Sequence, residues 1–147
     1  MSDSDLLKLY SARILGLAAD IPHHGRLTAP QGTARKRSPL CGSTVTVDVV
    51  VKAGRVADFA QDVKACALGQ ASAAILGASV IGRSLPELQA AQSQLRAMLK
   101  DEGPVPAAPF EGFEVLFPAR EFKNRHASIL LALEAVCEAM AAAEATA

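Results

Sequence analysis

At 147 residues the chain has the length of one domain, expected to span residues 1–147, and a core of that size folds without disulfide staples. Fifteen Lys and Arg balance fifteen Asp and Glu, which removes the broad positive footprint expected of a nucleic-acid or anionic-lipid binder. The acidic start Met1-Ser2-Asp3-Ser4-Asp5 leads into an interrupted apolar pattern that does not read as a signal peptide. No stretch is expected to be long and apolar enough to span a bilayer, and three widely spaced cysteines imply reduced thiols, so the expected setting is cytoplasmic.

Leu7, Tyr10, Ile14, Leu17 and Ile21 recur at spacings of three and four, with Ser2 and Asp5 as a capping pair, which predicts an amphipathic helix over residues 3–20 stopped by Pro22. Pro22-His23-His24-Gly25-Arg26-Leu27, then Pro30 and Gly32, predict a turn-rich connection. A short strand is expected near Thr33 to Ser38. From Thr44 to Val51 the residues alternate, with Val45, Val47, Val49 and Val51 on one face and Thr44, Thr46, Asp48 and Val50 on the other, as in a half-buried strand. Lys52-Ala53-Gly54-Arg55 turns into a second run, Val56 to Val63, which predicts an antiparallel hairpin.

The Ala-, Ile- and Leu-rich run from Cys66 to Ile81 predicts a close-packed helix, with Gly69 and Gly77 as points of near approach. Ser84-Leu85-Pro86-Glu87 is a capping box, and Leu88, Ala91, Leu95, Met98 and Leu99 continue an apolar stripe to Lys100. Gly103, Pro104, Pro106 and Pro109 predict a surface loop from Asp101 to Phe110. A last helix is expected from Asn124, burying Leu130, Leu133, Val136 and Met140.

Cys41, Cys66 and His126 each fall where a loop meets a regular element, and thiolates with an imidazole are soft-metal ligands. They lie 25 and 60 residues apart, and ligands converging in a fold need no tight motif. Cys66 stands at a helix start and His126 in the first turn of another, where unpaired backbone N–H groups favour an anionic ligand. Gly42 lets the backbone beside Cys41 approach a ligand. Residue chemistry alone leaves open the alternative that both cysteines are small buried hydrophobes and His126 an ordinary hydrogen-bonded residue. Cys137, eleven residues beyond His126 and so roughly 16 Å along a helix, is assigned to packing. His23 and His24 read as surface or partner-contact residues. Ser72 and Ser128 lack a His and carboxylate in nucleophile order, which disfavours a serine hydrolase, and a zinc hydrolase lacks an identifiable general base.

Over most of its length the chain resembles the NifU-like, IscU-type scaffold proteins of iron–sulfur cluster assembly, including the zinc-binding SufU-like branch. Pro22-His23-His24-Gly25-Arg26-Leu27 resembles the family's Pro-Arg-Asn turn, Cys41-Gly42 its Cys-Gly-Asp motif, and Cys66-Ala67-Leu68-Gly69 its second-cysteine helix. Phe122-Lys123-Asn124-Arg125-His126-Ala127-Ser128 resembles the third-cysteine segment, with His126 aligned to the cysteine, Arg125 to a family histidine and Ser43 to the aspartate. The resemblance implies an α+β fold, with a small antiparallel sheet in two layers with helices as in the SufE/IscU-like fold. It implies a non-enzymatic scaffold or sulfur acceptor in which Cys41 and Cys66 accept sulfur, and Cys41, Cys66 and His126 bind iron or an iron–sulfur cluster with the Ser43 hydroxyl at an open position. A cysteine desulfurase and recipient apo-proteins are the implied partners. The alternative is a zinc-binding accessory protein of a desulfurase that builds no cluster.

Overall fold

In the computed structural model, residues 11–39 and 42–145 are described. The expected first helix is seen as α1 (Ala12–Ala19), whose N-cap Ser11 accepts from the Ile14 N–H; Leu7, Tyr10 and the Ser2–Asp5 pair lie outside the described residues. It is followed by β1 (Gly32–Arg37), β2 (Thr44–Lys52), β3 (Arg55–Lys64), α2 (Ala67–Ser79), α3 (Leu85–Lys100), a 3₁₀ segment Glu111–Glu121, a short turn Lys123–Arg125 and α4 (His126–Ala145). The three strands form one antiparallel sheet in the order β1-β2-β3, and the fold is α+β.

Alternation sets the two faces of the sheet. Val45, Val47 and Val49 are buried against the helices, and their β3 partners are Val63, Gln61 and Phe59. Val51 is only half-buried, because the β2–β3 register slips between Val50 and Val51; a bulge of this kind re-aims the side chains beyond it. Ala53 and Gly54 both have positive φ, 53° and 73°, the handedness a two-residue hairpin turn requires.

The connection through Pro22 is more than a turn. His23 and His24 lie along the edge of β3, with the Gln61 N–H donating to the His23 carbonyl (3.0 Å) and the Gly25 N–H to the Gln61 carbonyl (2.8 Å). The chain then crosses the outer face of the sheet to reach β1. Asp48, at the centre of β2 and fully buried, pins this crossing by accepting from Arg26 Nε (2.6 Å), the Leu27 N–H (3.0 Å) and the Thr33 hydroxyl (2.6 Å).

Burial pushes the Asp48 carboxyl up, but the hydrogen bonds from Arg26, Thr33 and Leu27, with the Arg26 charge, outweigh it and hold the group below the usual carboxylate range. A lowered folded value means the unfolded chain takes up the proton first, so the contribution is complete above about pH 4 and is lost as pH falls through the folded value. Asp48→Asn is therefore expected to be less stable than the parent at neutral pH and to lack this part of the acid slope. Urea unfolding from neutral pH to about pH 3 reads both effects; an unchanged acid slope would remove Asp48 from the account.

Helix α4 is the centre of the molecule. It packs on β1, β2, α2 and α3 and buries most of its side chains from His126 to Met140, with Glu138 exposed, as a core helix does. Contrary to the expectation that no stretch has the length and composition to cross a bilayer, Lys123–Ala145 has both, with a mean hydropathy of 1.5. Its most apolar stretch is 72% buried inside the protein, the character of a core helix. The 3₁₀ segment has no counterpart among the expected elements; Phe113, Leu116 and Ala119 recur every third residue and are fully buried, the period of a three-residue turn.

Candidate functional site

The C-terminal end of β3, the N-terminal end of α2 and the first turn of α4 meet at one corner. Cys66 is the N-cap residue of α2, with extended backbone, and its thiol caps no N–H of that helix. Its sulfur instead shares a 3.4 Å contact with the hydroxyl of Ser128. The approach is possible because α2 carries Gly69 here: a Cβ on Gly69 would lie 2.6 Å from Ser128 Oγ and 2.8 Å from the Ala65 Cβ. Ser72, one turn on, donates to the Ile129 carbonyl at 2.5 Å and ties the same two helices together. Gly77 lets α2 approach Gln61 Nε2 and the Pro22 carbonyl.

Ser128 also shares a hydrogen bond with Ser43, Oγ to Oγ, at 3.0 Å, and both serines are buried. Ser43 closes the loop between β1 and β2. The Ser38 N–H donates to the Ser43 carbonyl and the Gly42 N–H to the Ser38 carbonyl, each at 2.8 Å, so the loop's two ends are clasped. Cys41 lies outside the described residues. Gly42 has φ +71° with open space where a Cβ would stand, so the left-handed backbone rather than a close approach calls for glycine there.

His126 is not beside Cys66. Successive residues of an α-helix are turned by about 100°, so Ser128 and His126 project roughly 200° apart, to nearly opposite sides of α4. The imidazole is buried, and its Nε2–H donates to the Ala119 carbonyl at 2.9 Å. Burial, helped by Lys100 and Lys123, holds it below the usual histidine range against the raising effect of the Ala119 and Arg120 carbonyls. The residue of this segment that stands beside the Cys66 thiol is Ser128, while the expected ligand His126 is turned to the Ala119 carbonyl. The missed signal was helix phase: α4 begins at His126 after a short 3₁₀ turn, not at Asn124.

The other candidates separate as well. Cys137 is buried, and burial followed by the carboxylates of Glu134 and Glu138 pushes its thiol up to about 11, which leaves almost no reactive thiolate at neutral pH. His23 and His24 are exposed but do not converge. The ring of His23 stands edge-on to Phe59 at 5.9 Å, while His24 Nε2 accepts from the Val63 N–H at 3.4 Å. Among the described residues no group of three His, Cys, Asp or Glu side chains is placed to hold a metal ion.

His126→Leu provides a direct check on the imidazole. It leaves the Ala119 carbonyl without its buried donor and is expected to lower stability by about 1–3 kcal/mol, while iron and sulfide content after reconstitution stays at the parent's level. Loss of iron at unchanged stability would return His126 to the ligand set.

Comparison with known proteins bears on the family and the fold. Residues 9–111 match the family described as NifU-like N terminal domain. The crystal structure of a nitrogen-fixing NifU-like protein (N-terminal) from Brucella abortus is 42% identical, with a TM-score of 0.94 over 97% of this chain and 99% of that one. A candidate iron-sulfur cluster assembly scaffold protein for the SUF system from thermophilic Fervidobacterium islandicum shares the fold, with a TM-score of 0.80 over 91% of this chain and 98% of that one, at 18% identity. No curated protein matches the chain.

Proposed function

Because the chain belongs to the NifU-like N-terminal domain family, we propose that it holds a nascent iron–sulfur cluster on the thiols of Cys66 and Cys41 and passes it to recipient apo-proteins. The family supports a role in iron–sulfur cluster assembly, and its members are scaffolds and carriers rather than enzymes. The observation that carries the reading is the Cys66–Ser128–Ser43 chain of contacts, 3.4 and 3.0 Å. It holds one thiol at a helix start and ties it to Ser43, which follows Cys41 by two residues in the sequence.

The chemistry follows from the parts. The first N–H groups of α2 have no carbonyl partner inside the helix and face the negative charge that sulfide and thiolates bring. A Cys66 thiolate attacks the outer sulfur of a persulfide on a cysteine desulfurase; the S–S bond of the donor breaks, its cysteine leaves as thiolate, and a persulfide forms on Cys66. An electron pair from a redox protein then reduces that S–S bond, restoring the thiolate and releasing sulfide to iron held at the site. Two thiols leave iron coordination incomplete. An under-coordinated cargo at a half-exposed corner is one that a recipient's cysteines can take, so low retention suits transfer.

Anaerobic incubation with a cysteine desulfurase, cysteine, ferrous iron and a reductant tests this. The expected result is a visible charge-transfer spectrum on the protein that disappears when an apo-ferredoxin is added and appears on the ferredoxin. A spectrum that never forms on this chain would contradict the reading.

A further inference from the structure

Beside the thiol corner, the outer face of the sheet is left bare where the Pro22–Gln31 crossing does not cover it. The register there is simple. Arg35, Thr46 and Asp62 stand in one row across the three strands, and Arg37, Thr44 and Lys64 in the next. Strands lie about 4.8 Å apart, so the outer members of each row flank a central threonine trough roughly 10 Å wide. The trough forms a cleft of about 180 Å³ that Arg26 closes at the far end.

Arg26 is committed to Asp48, whereas among the described residues Arg35, Arg37 and Lys64 make no ion pair. All three are exposed. In a chain with no net charge, these three cations, set among the described residues against the carboxylate of Asp62, make this end of the sheet locally positive, and the two threonine hydroxyls supply donors between them. Lys64 precedes Cys66 by two residues and Thr44 follows Ser43 directly.

We propose that this face docks an acidic segment of a partner protein, laid across the threonine trough with carboxylates between Arg37 and Lys64. Charge complementarity chooses the occupant. Asp62 inside the cleft opposes the continuous charge of a nucleic-acid backbone, and two rows offer too few cations for one. A peptide can set a neutral side chain opposite Asp62 and an acid on either side. A segment held there places its protein against the thiol corner without covering it, and the field steers the encounter. The inference does not depend on what the thiols carry.

The full chain is titrated at low salt with a blocked tetraglutamate peptide while backbone amide resonances are followed; tetralysine, inorganic phosphate and a single-stranded oligonucleotide serve as comparisons. Tetraglutamate is expected to move the amides of Arg35, Arg37, Thr44, Thr46 and Lys64, to weaken with salt, and to bind about tenfold less tightly to the double variant Arg35→Glu, Lys64→Glu. An unchanged unfolding midpoint of that variant shows that it folds; if the midpoint falls, Arg35→Gln with Lys64→Gln replaces it. No shifts in this region, equal shifts with phosphate, tighter binding of the oligonucleotide, or undiminished binding to the variant would each overturn the proposal.

Discussion

Cys66→Ser is expected to retain no iron and no acid-labile sulfide after anaerobic reconstitution, with a thermal unfolding midpoint within a degree or so of the parent's. The sulfur-to-oxygen change is small, and Cys66 is half-buried at a helix start, where serine is itself a favoured cap residue. Stability therefore has little reason to fall. Ligation has every reason to: an alcohol is not ionised at neutral pH and is a poor partner for iron in a cluster, whereas thiolate is the usual one. Cys41→Ser is expected to behave in the same way, and Cys137→Ser to keep its cluster, since that thiol is buried away from Ser128. Iron and sulfide at parental levels in both Cys41→Ser and Cys66→Ser would end the assignment.

Gly32→Ala, which touches none of the chemistry, is expected to cost the most stability of any single methyl group added here. A Cβ on Gly32 would fall on the Ala139 carbonyl oxygen and stand 2.7 Å from the Ala143 nitrogen. Both obstacles are backbone of α4, the helix on which the sheet rests, so neither turns aside as a flexible side chain would. Overpacking typically costs 1–3 kcal/mol, and with backbone on both sides the upper end, about 3 kcal/mol, is the figure to expect. For a chain of this length that lowers the unfolding midpoint by roughly 10 °C. Gly16→Ala is the matched control. Gly16 is in α1 with nothing near its Cβ direction, so alanine there should raise stability by roughly 0.5–1 kcal/mol through the unfolded chain's entropy. Equal midpoints for the two variants would mean that β1 and α4 are not as tightly apposed as described.

Much of the fold could be read from residues alone, because its signals are local. The valine alternation in β2, the Ala53-Gly54 turn and the Ser84-Glu87 capping box each act within a few residues, and the structure contains all three. What escaped depends on contacts between distant segments. Gly32 reads as a loop glycine until α4 lies across it. Asp48 reads as a solvent-facing strand residue until the Arg26 segment crosses above it and buries it. The 3₁₀ segment buries a period-three stripe that a search for helical or strand spacing passes over.

The site was legible in part for the same reason. Cys66 could be placed at a helix start from the composition change after it. Which residue of His126-Ala127-Ser128 faces it could not, because the answer turns on where α4 begins, and a shift of two residues along a helix exchanges one side for the other. Ser43 reads as the counterpart of a family aspartate and Ser128 as a serine without triad partners; that the two meet across 85 residues appears only in the fold. Their pairing puts a hydroxyl, rather than the expected imidazole, beside the Cys66 thiol.

The measurement that bears most directly on a cluster-carrying role is the content of iron, zinc and acid-labile sulfide in the parent chain purified without oxygen. The account predicts iron and sulfide in similar amounts, both absent from Cys66→Ser prepared alongside. Zinc at full occupancy with no sulfide would contradict it and identify the chain as a zinc-holding accessory instead.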